Sequence, residues 1–166
     1  MKEGKWTELV PFDYNNDAYN VGHGCFSDDG KTLYFISDME GGMGQTDIYR
    51  SLFVDGKWTK PENLGATYNT NLQELFPYVV GDQLYFASTG HFGLGGLDLF
   101  EANLAKNERP RNMGFPINTS ADDFSLICDT EGMNGYFSSN REKTVDGIYA
   151  FERQNIQIEV IVNVFE

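Results

Sequence analysis

No run of roughly eighteen apolar residues occurs in the sequence, so no segment reads as a membrane-spanning helix. Basic residues are scarce: 12 Lys and Arg stand against 25 Asp and Glu, a net charge of −13. A nucleic-acid binder needs a basic footprint to displace counterions, and an anionic membrane surface would repel this chain. Neither nucleic acid nor direct membrane insertion is therefore expected. Only two cysteines occur, Cys25 and Cys128, with no Cys-x-x-Cys and no histidine cluster. That excludes a zinc site of recognisable spacing and a disulfide-rich scaffold, and leaves the redox compartment open. Met1 to Trp6 lacks the apolar core of a signal peptide.

Aromatic and turn-forming residues are plentiful, with 13 Phe, 9 Tyr and 18 Gly. That argues against disorder and for short strands joined by tight turns. The excess of acid keeps a strand-rich surface soluble and discourages edge-to-edge association. An acid-lined cation site is the other reading.

A repeat decides the fold. Leu33-Tyr34-Phe35-Ile36-Ser37 recurs as Leu84-Tyr85-Phe86-Ala87-Ser88 and as Gly135-Tyr136-Phe137-Ser138-Ser139, each time 51 residues on. A second motif follows: Asp47-Ile48-Tyr49, Asp98-Leu99-Phe100, then Asp146 before Gly147-Ile148-Tyr149. A third joins the units: Asn63-Leu64-Gly65 with Asn69-Thr70, then Asn112-Met113-Gly114 with Asn118-Thr119. Each unit reads as four antiparallel strands. The first covers Gly24 to Phe26, Phe76 to Val80 and Ser125 to Cys128; the second is the Tyr-Phe run; the third starts at Asp47 or its equivalent; the fourth begins near Trp58. The Tyr-Phe run is apolar on both faces, as in a sheet stacked between two others. Four-stranded sheets repeating at this period are β-propeller blades.

The expected fold is therefore all-β, with three blades at about 14–64, 65–111 and 112–155. Closed propellers typically need about 4 to 8 blades. The chain is then either a partial propeller, its other blades elsewhere in the same protein, or half of a six-bladed assembly built with a second copy. Lys5-Trp6-Thr7 repeats Lys57-Trp58-Thr59, so residues 1–13 read as an outer strand of another blade. Residues 156–166, with an alternating Ile156 to Val162, read as the last outer strand or the start of a further β-domain.

Catalytic patterns fail one by one. No Gly-x-Ser-x-Gly occurs, and Ser37, Ser88 and Ser139 share one repeated position, whereas an active site is needed once. Gly24 to Thr32 has one residue too many for a phosphate loop. Gly42 to Asp47 and Gly93 to Asp98 share Gly-x-Gly-x-x-Asp, but calcium wants about six to eight oxygens. Asp47, Asp98 and Asp146 are expected to accept backbone N–H bonds within their loops instead. Trp6 and Trp58 sit at matched places that suggest packing, and His23 and His91 are lone loop residues. No enzyme activity and no cofactor are expected.

Phe26-Ser27-Asp28-Asp29-Gly30-Lys31-Thr32-Leu33-Tyr34-Phe35 and Thr46-Asp47-Ile48-Tyr49 resemble the TolB-type, WD-like propeller repeats of periplasmic and outer-membrane-associated proteins. Gly95-Gly96-Leu97-Asp98-Leu99-Phe100, Asp122-Asp123-Phe124 and Gly135 to Arg141 resemble a subtype: propellers of Bacteroidetes envelope proteins that also carry an OmpA-like peptidoglycan-binding domain. The resemblance spans about residues 5 to 153. It implies a periplasmic, outer-membrane-associated location, other envelope proteins as partners, and for some members a place in type IX secretion and gliding.

Alternating strand direction puts the connections from fourth to first and from second to third strands on one face, and the tight hairpins on the other. The first face has the long, varied segments, where binding concentrates. The candidate interaction residues on its loops are Asp38, Glu40, His91, Asn140, Arg141 and Lys143. Tyr34, Phe35, Tyr85, Phe86, Tyr136 and Phe137 are the structural repeat. The expected function is a non-catalytic interaction or scaffolding propeller, with a glycan- or peptide-binding module, or a hydrolase's accessory propeller, as the alternative.

Overall fold

The computed structural model describes residues 8–142 and 145–154. Among them there is no helix, and the strands form three antiparallel sheets in chain order. Blade 1 holds β1 (Val21–Phe26), β2 (Thr32–Ser37) and β3 (Asp47–Val54), with an outer edge shared by β4 (Lys57–Trp58) and β5 (Glu62–Asn63). Blade 2 holds β6 (Glu74–Val80), β7 (Gln83–Ser88), β8 (Asp98–Asn103) and β9 (Arg111–Asn112). Blade 3 holds β10 (Asp123–Cys128), β11 (Asn134–Ser139) and β12 (Gly147–Glu152). Of residues 1–13, expected as an outer strand of another blade, 8–13 form no strand; residues 1–7, and 156–166, expected as the last outer strand or the start of a further β-domain, lie outside the described residues.

Blade stacking explains why the Tyr-Phe run is apolar throughout. Successive residues of a strand face opposite ways. Leu84 and Phe86 of β7 join Tyr34, Ile36 and Ile48 of blade 1 in one core. Tyr85 and Ala87 of the same strand join Leu126 and Phe137 of blade 3 in another. The middle strand thus has no solvent face. Removing a side chain such as Phe86 from water contributes about 1.5–3 kcal/mol.

The inner strands differ from the sequence expectation. They begin earlier, at Val21, Glu74 and Asp123. Pairing breaks between Gly22 and Cys25, Leu75 and Tyr78, and Phe124 and Ile127. Within the breaks, His23, Phe76 and Ser125 take left-handed φ of 50°, 53° and 56°. This bulge disrupts the alternation that marks a strand in sequence, so the first residues were hidden. The hairpin at Asp55-Gly56 behaves as its sequence suggests: both residues have positive φ, 52° and 81°, as a primed turn requires. The outer strand of blade 1 is split around Pro61, which has no N–H to give a ladder.

Candidate interaction face and axial wall

The repeated serines fasten loops to strand ends. Ser37 donates to the Asn20 carbonyl at 2.6 Å and accepts the Met39 N–H at 3.1 Å. Ser88 donates to Glu74 at 2.8 Å and accepts the N–H groups of Gly90 and His91. Ser139 accepts from both the backbone and the Nε of Arg141. The loop aspartates do similar work. Asp47 accepts from the N–H groups of Met43 and Gly44 and from Asn63 Nδ2. Asp98 accepts the N–H groups of Leu94 and Gly95, both at 2.9 Å.

Asp146 does not continue this series. The register sets Gly147 opposite Ser139, as Asp47 and Asp98 stand opposite Ser37 and Ser88. Asp146 falls one residue early and is exposed. Among the described residues, no group of three or more His, Cys, Asp or Glu side chains is placed to hold a metal ion.

The candidate interaction residues are mostly committed to the chain itself. Asp38 accepts the N–H and Nδ2 of Asn20, which hold its carboxyl below the usual carboxylate range. Blade 3 exchanges the two partners: Asp122 N–H donates to Asn140 Oδ1, and Asn140 Nδ2 donates to Asp122. His91 donates its Nε2–H to the Tyr68 carbonyl at 2.8 Å and rests on Phe86 and Phe100. Arg141 takes the matching place in blade 3. Its guanidinium lies over Phe137 and Tyr149, 4.9 and 4.8 Å from the ring centres. It donates to the carbonyls of Pro116 and Ile117 and pairs with the buried Asp123 at 2.6 Å. Glu40 is exposed, and Lys143 lies outside the described residues.

Beside Asp38 and Glu40, these braced loops offer apolar side chains to solvent. Phe92 is 98% exposed, and Leu94, Met43, Leu72 and Phe115 are also exposed. The residues beside Phe92 are fixed: His91 at both its N–H and its ring, Leu94 through Asp98. Sequence reasoning sought charge here and passed over Phe92, although an aromatic residue in a Gly-rich polar loop was a visible signal. A hollow of about 520 Å³ is lined by His91, Thr67, Thr70 and Arg109 among others.

A second surface lies where the three inner strands meet. A cleft of about 380 Å³ is lined by the bulge residues His23, Phe76 and Ser125 and their neighbours. His23 stacks on Phe76 with centroids 4.0 Å apart, and Phe76 leads on to Phe124 at 5.3 Å. Burial lowers the His23 pKa and pushes the thiols of Cys25 and Cys128 up. Tyr85 is pushed up to about 12 by the same cause. Of the two thiols, Cys25 lines the cleft, and its burial disfavours the thiolate, the nucleophilic form.

No family model matches the chain, and no curated protein matches it either. Among solved structures it is similar to a TolB from Agrobacterium tumefaciens, with a TM-score of 0.57 and 14% identity over 88% of this chain. The fold is that of part of a TolB-type β-propeller. The propeller described here spans 47% of the TolB chain, about half its length. A prolyl endopeptidase structure is also similar, at 16% identity and a TM-score of 0.48, covering 81% of this chain and 18% of that one. At that score it carries no argument about activity.

Proposed function

We propose that this propeller is a non-catalytic protein-interaction module of a bacterial cell envelope, docking its partner on the face that carries Phe92. One observation carries the reading: an almost wholly exposed aromatic ring on a loop whose flanking residues are hydrogen-bonded in place. Anchors of this kind bind well because little conformational freedom remains to be lost. The motif resemblance to Bacteroidetes envelope propellers supports a periplasmic site at the outer membrane and an OmpA-like, peptidoglycan-binding protein as the linked component. The net charge of −13 favours a partner with a basic rim.

The test replaces Phe92 with a photo-crosslinking amino acid and irradiates the protein in intact envelopes. A single crosslinked envelope protein, whose binding to purified propeller is lost in Phe92→Ala, supports the reading. Unchanged binding by Phe92→Ala and Leu94→Ala together would overturn it. A second reading, capture of a peptide or glycan in the axial cleft, draws on the His23–Phe76–Phe124 ring series. It predicts a ligand lost on Phe76→Ala and retained by Phe92→Ala.

A further inference from the structure

The arginines of this acidic chain are Arg50, Arg109, Arg111, Arg141 and Arg153. Arg50 pairs with Glu62, Arg111 and Arg153 pair with Glu101, and Arg141 pairs with Asp123. Arg109 alone has no carboxylate partner among the described residues. It is exposed, and it borders the hollow of about 520 Å³ whose other walls are Ala66, Thr67, Thr70, His91 and Pro110. No acid lines that hollow, in a chain that carries 25 Asp and Glu.

The acids nearby are already engaged. Arg109 also borders a hollow of about 390 Å³ with Glu101 and Glu108. Glu101 holds two arginines, and Glu108 stands 3.7 Å from Lys106. Glu74 is buried, and accepts the N–H and the hydroxyl of Thr70 and the hydroxyl of Ser88, each at 2.8 Å. The positive charge of Arg109 is thus left for something outside the chain.

The opposite wall is fixed and polar. His91 rests on Phe86 and Phe100 and reaches the Tyr68 carbonyl at 2.8 Å. A carbonyl only accepts, so Nε2 carries the ring proton and Nδ1 of the neutral ring is an acceptor. The Thr67 hydroxyl can donate or accept. Thr67 and Thr70 lie between blades 1 and 2, and His91 and Arg109 belong to blade 2. The hollow is therefore bounded by the described residues at an internal boundary, whatever precedes or follows the chain.

We propose that this hollow binds a small anion that also carries hydroxyl groups, of the class of a sugar acid or a polyol phosphate. The guanidinium fork of Arg109 takes the carboxylate or phosphate through paired N–H donors. The Thr67 hydroxyl and His91 Nδ1 take the hydroxyls of the ligand. A volume of about 520 Å³ is in the range of small-molecule pockets, about 300–1,000 Å³. The site is independent of the reading for Phe92, and the two can fail separately.

Titration calorimetry at low salt tests this with glucuronate and glycerol phosphate as probes. Glucose supplies hydroxyls without charge; acetate and methyl phosphate supply charge without hydroxyls. Glucuronate or glycerol phosphate should bind, and which of them does so tells carboxylate from phosphate. The three control compounds should bind about tenfold more weakly or worse. Arg109→Ala should weaken the bound probe about tenfold or more, and Arg109→Lys, which keeps the charge and loses the fork, should restore only part. Both variants should melt as wild type does, since the side chain is exposed. Phe92→Ala should bind the probe unchanged. No binding of either probe at about 10 mM, beyond the millimolar range of weak ligands, overturns the proposal. Binding indifferent to Arg109→Ala overturns it too. So does a control compound that binds as tightly as the probe, because charge or hydroxyls alone would then suffice.

Discussion

The Nδ1 of His23 accepts the backbone N–H of Phe76 at 3.2 Å while the two rings stack with planes 9° apart. One imidazole therefore joins the inner strands of blades 1 and 2 twice, through its edge and through its face. The bond requires an unprotonated Nδ1, which places the remaining proton on Nε2, free to donate into the cleft.

The pH dependence follows from that bond. Burial lowers the His23 pKa below its ordinary 6.5, so the unfolded chain takes up this proton first. The stabilisation is complete above 6.5 and is lost as pH falls through the depressed folded value. Carboxylates contribute slopes of their own, so the measurement is a difference. Urea midpoints across this range should rise more steeply with pH for wild type than for His23→Phe, which keeps a stacking ring and cannot titrate.

Asn69→Ala should cost about 1–3 kcal/mol, because it strands the buried Ile48 N–H. The Ile48 carbonyl keeps the N–H of Leu64. Denaturant unfolding monitored by tyrosine and tryptophan fluorescence reads this directly.

Arg141 and Arg50 should differ sharply. Arg141→Ala leaves Asp123 buried without its cation and should cost about 3–5 kcal/mol. Arg50 pairs with Glu62 at 2.9 Å with both side chains exposed, and Arg50→Ala should cost about 0–1 kcal/mol. Equal losses would show that Arg141 is not what offsets the buried charge of Asp123.

Gly95→Ala should be more damaging than any exposed-loop substitution. A Cβ there would lie 2.1 Å from the Ala121 carbonyl oxygen, in the connection leading to blade 3. Backbone cannot yield as a side-chain tip can, so a loss of about 2 kcal/mol or more is expected. Thermal melting against Gly56→Ala, at a strained but open turn, separates close packing from backbone strain.

Phe92→Ala should leave the melting temperature within about 0.5 kcal/mol equivalent of wild type, since the ring touches solvent. A large loss of stability would mean that the ring packs within the chain, and its role as an anchor would fall with it.

Blade architecture was readable because it is written three times. Tyr34, Tyr85 and Tyr136 stand at one spacing, and a run apolar on both faces has few ways to be buried. The serines and loop aspartates were read as braces for the same reason, since a repeated polar residue at a strand end has a repeated backbone to satisfy. Asp146 misled because adjacency in sequence hid a one-residue difference in register. His91 and Arg141 looked like surface charge in loops. Their aromatic supports, Phe100 and Tyr149, and the carbonyls they grip come from other segments.

The sequence alone determined that this protein is a stack of equivalent blades, because periodic burial needs only local spacing to be visible. Tertiary structure decided which polar side chains were consumed in holding blades together and which rings were left to face a partner. Those outcomes depend on distances between segments remote in sequence, and a charge or an aromatic ring bears no mark of its neighbour until the chain has folded around it.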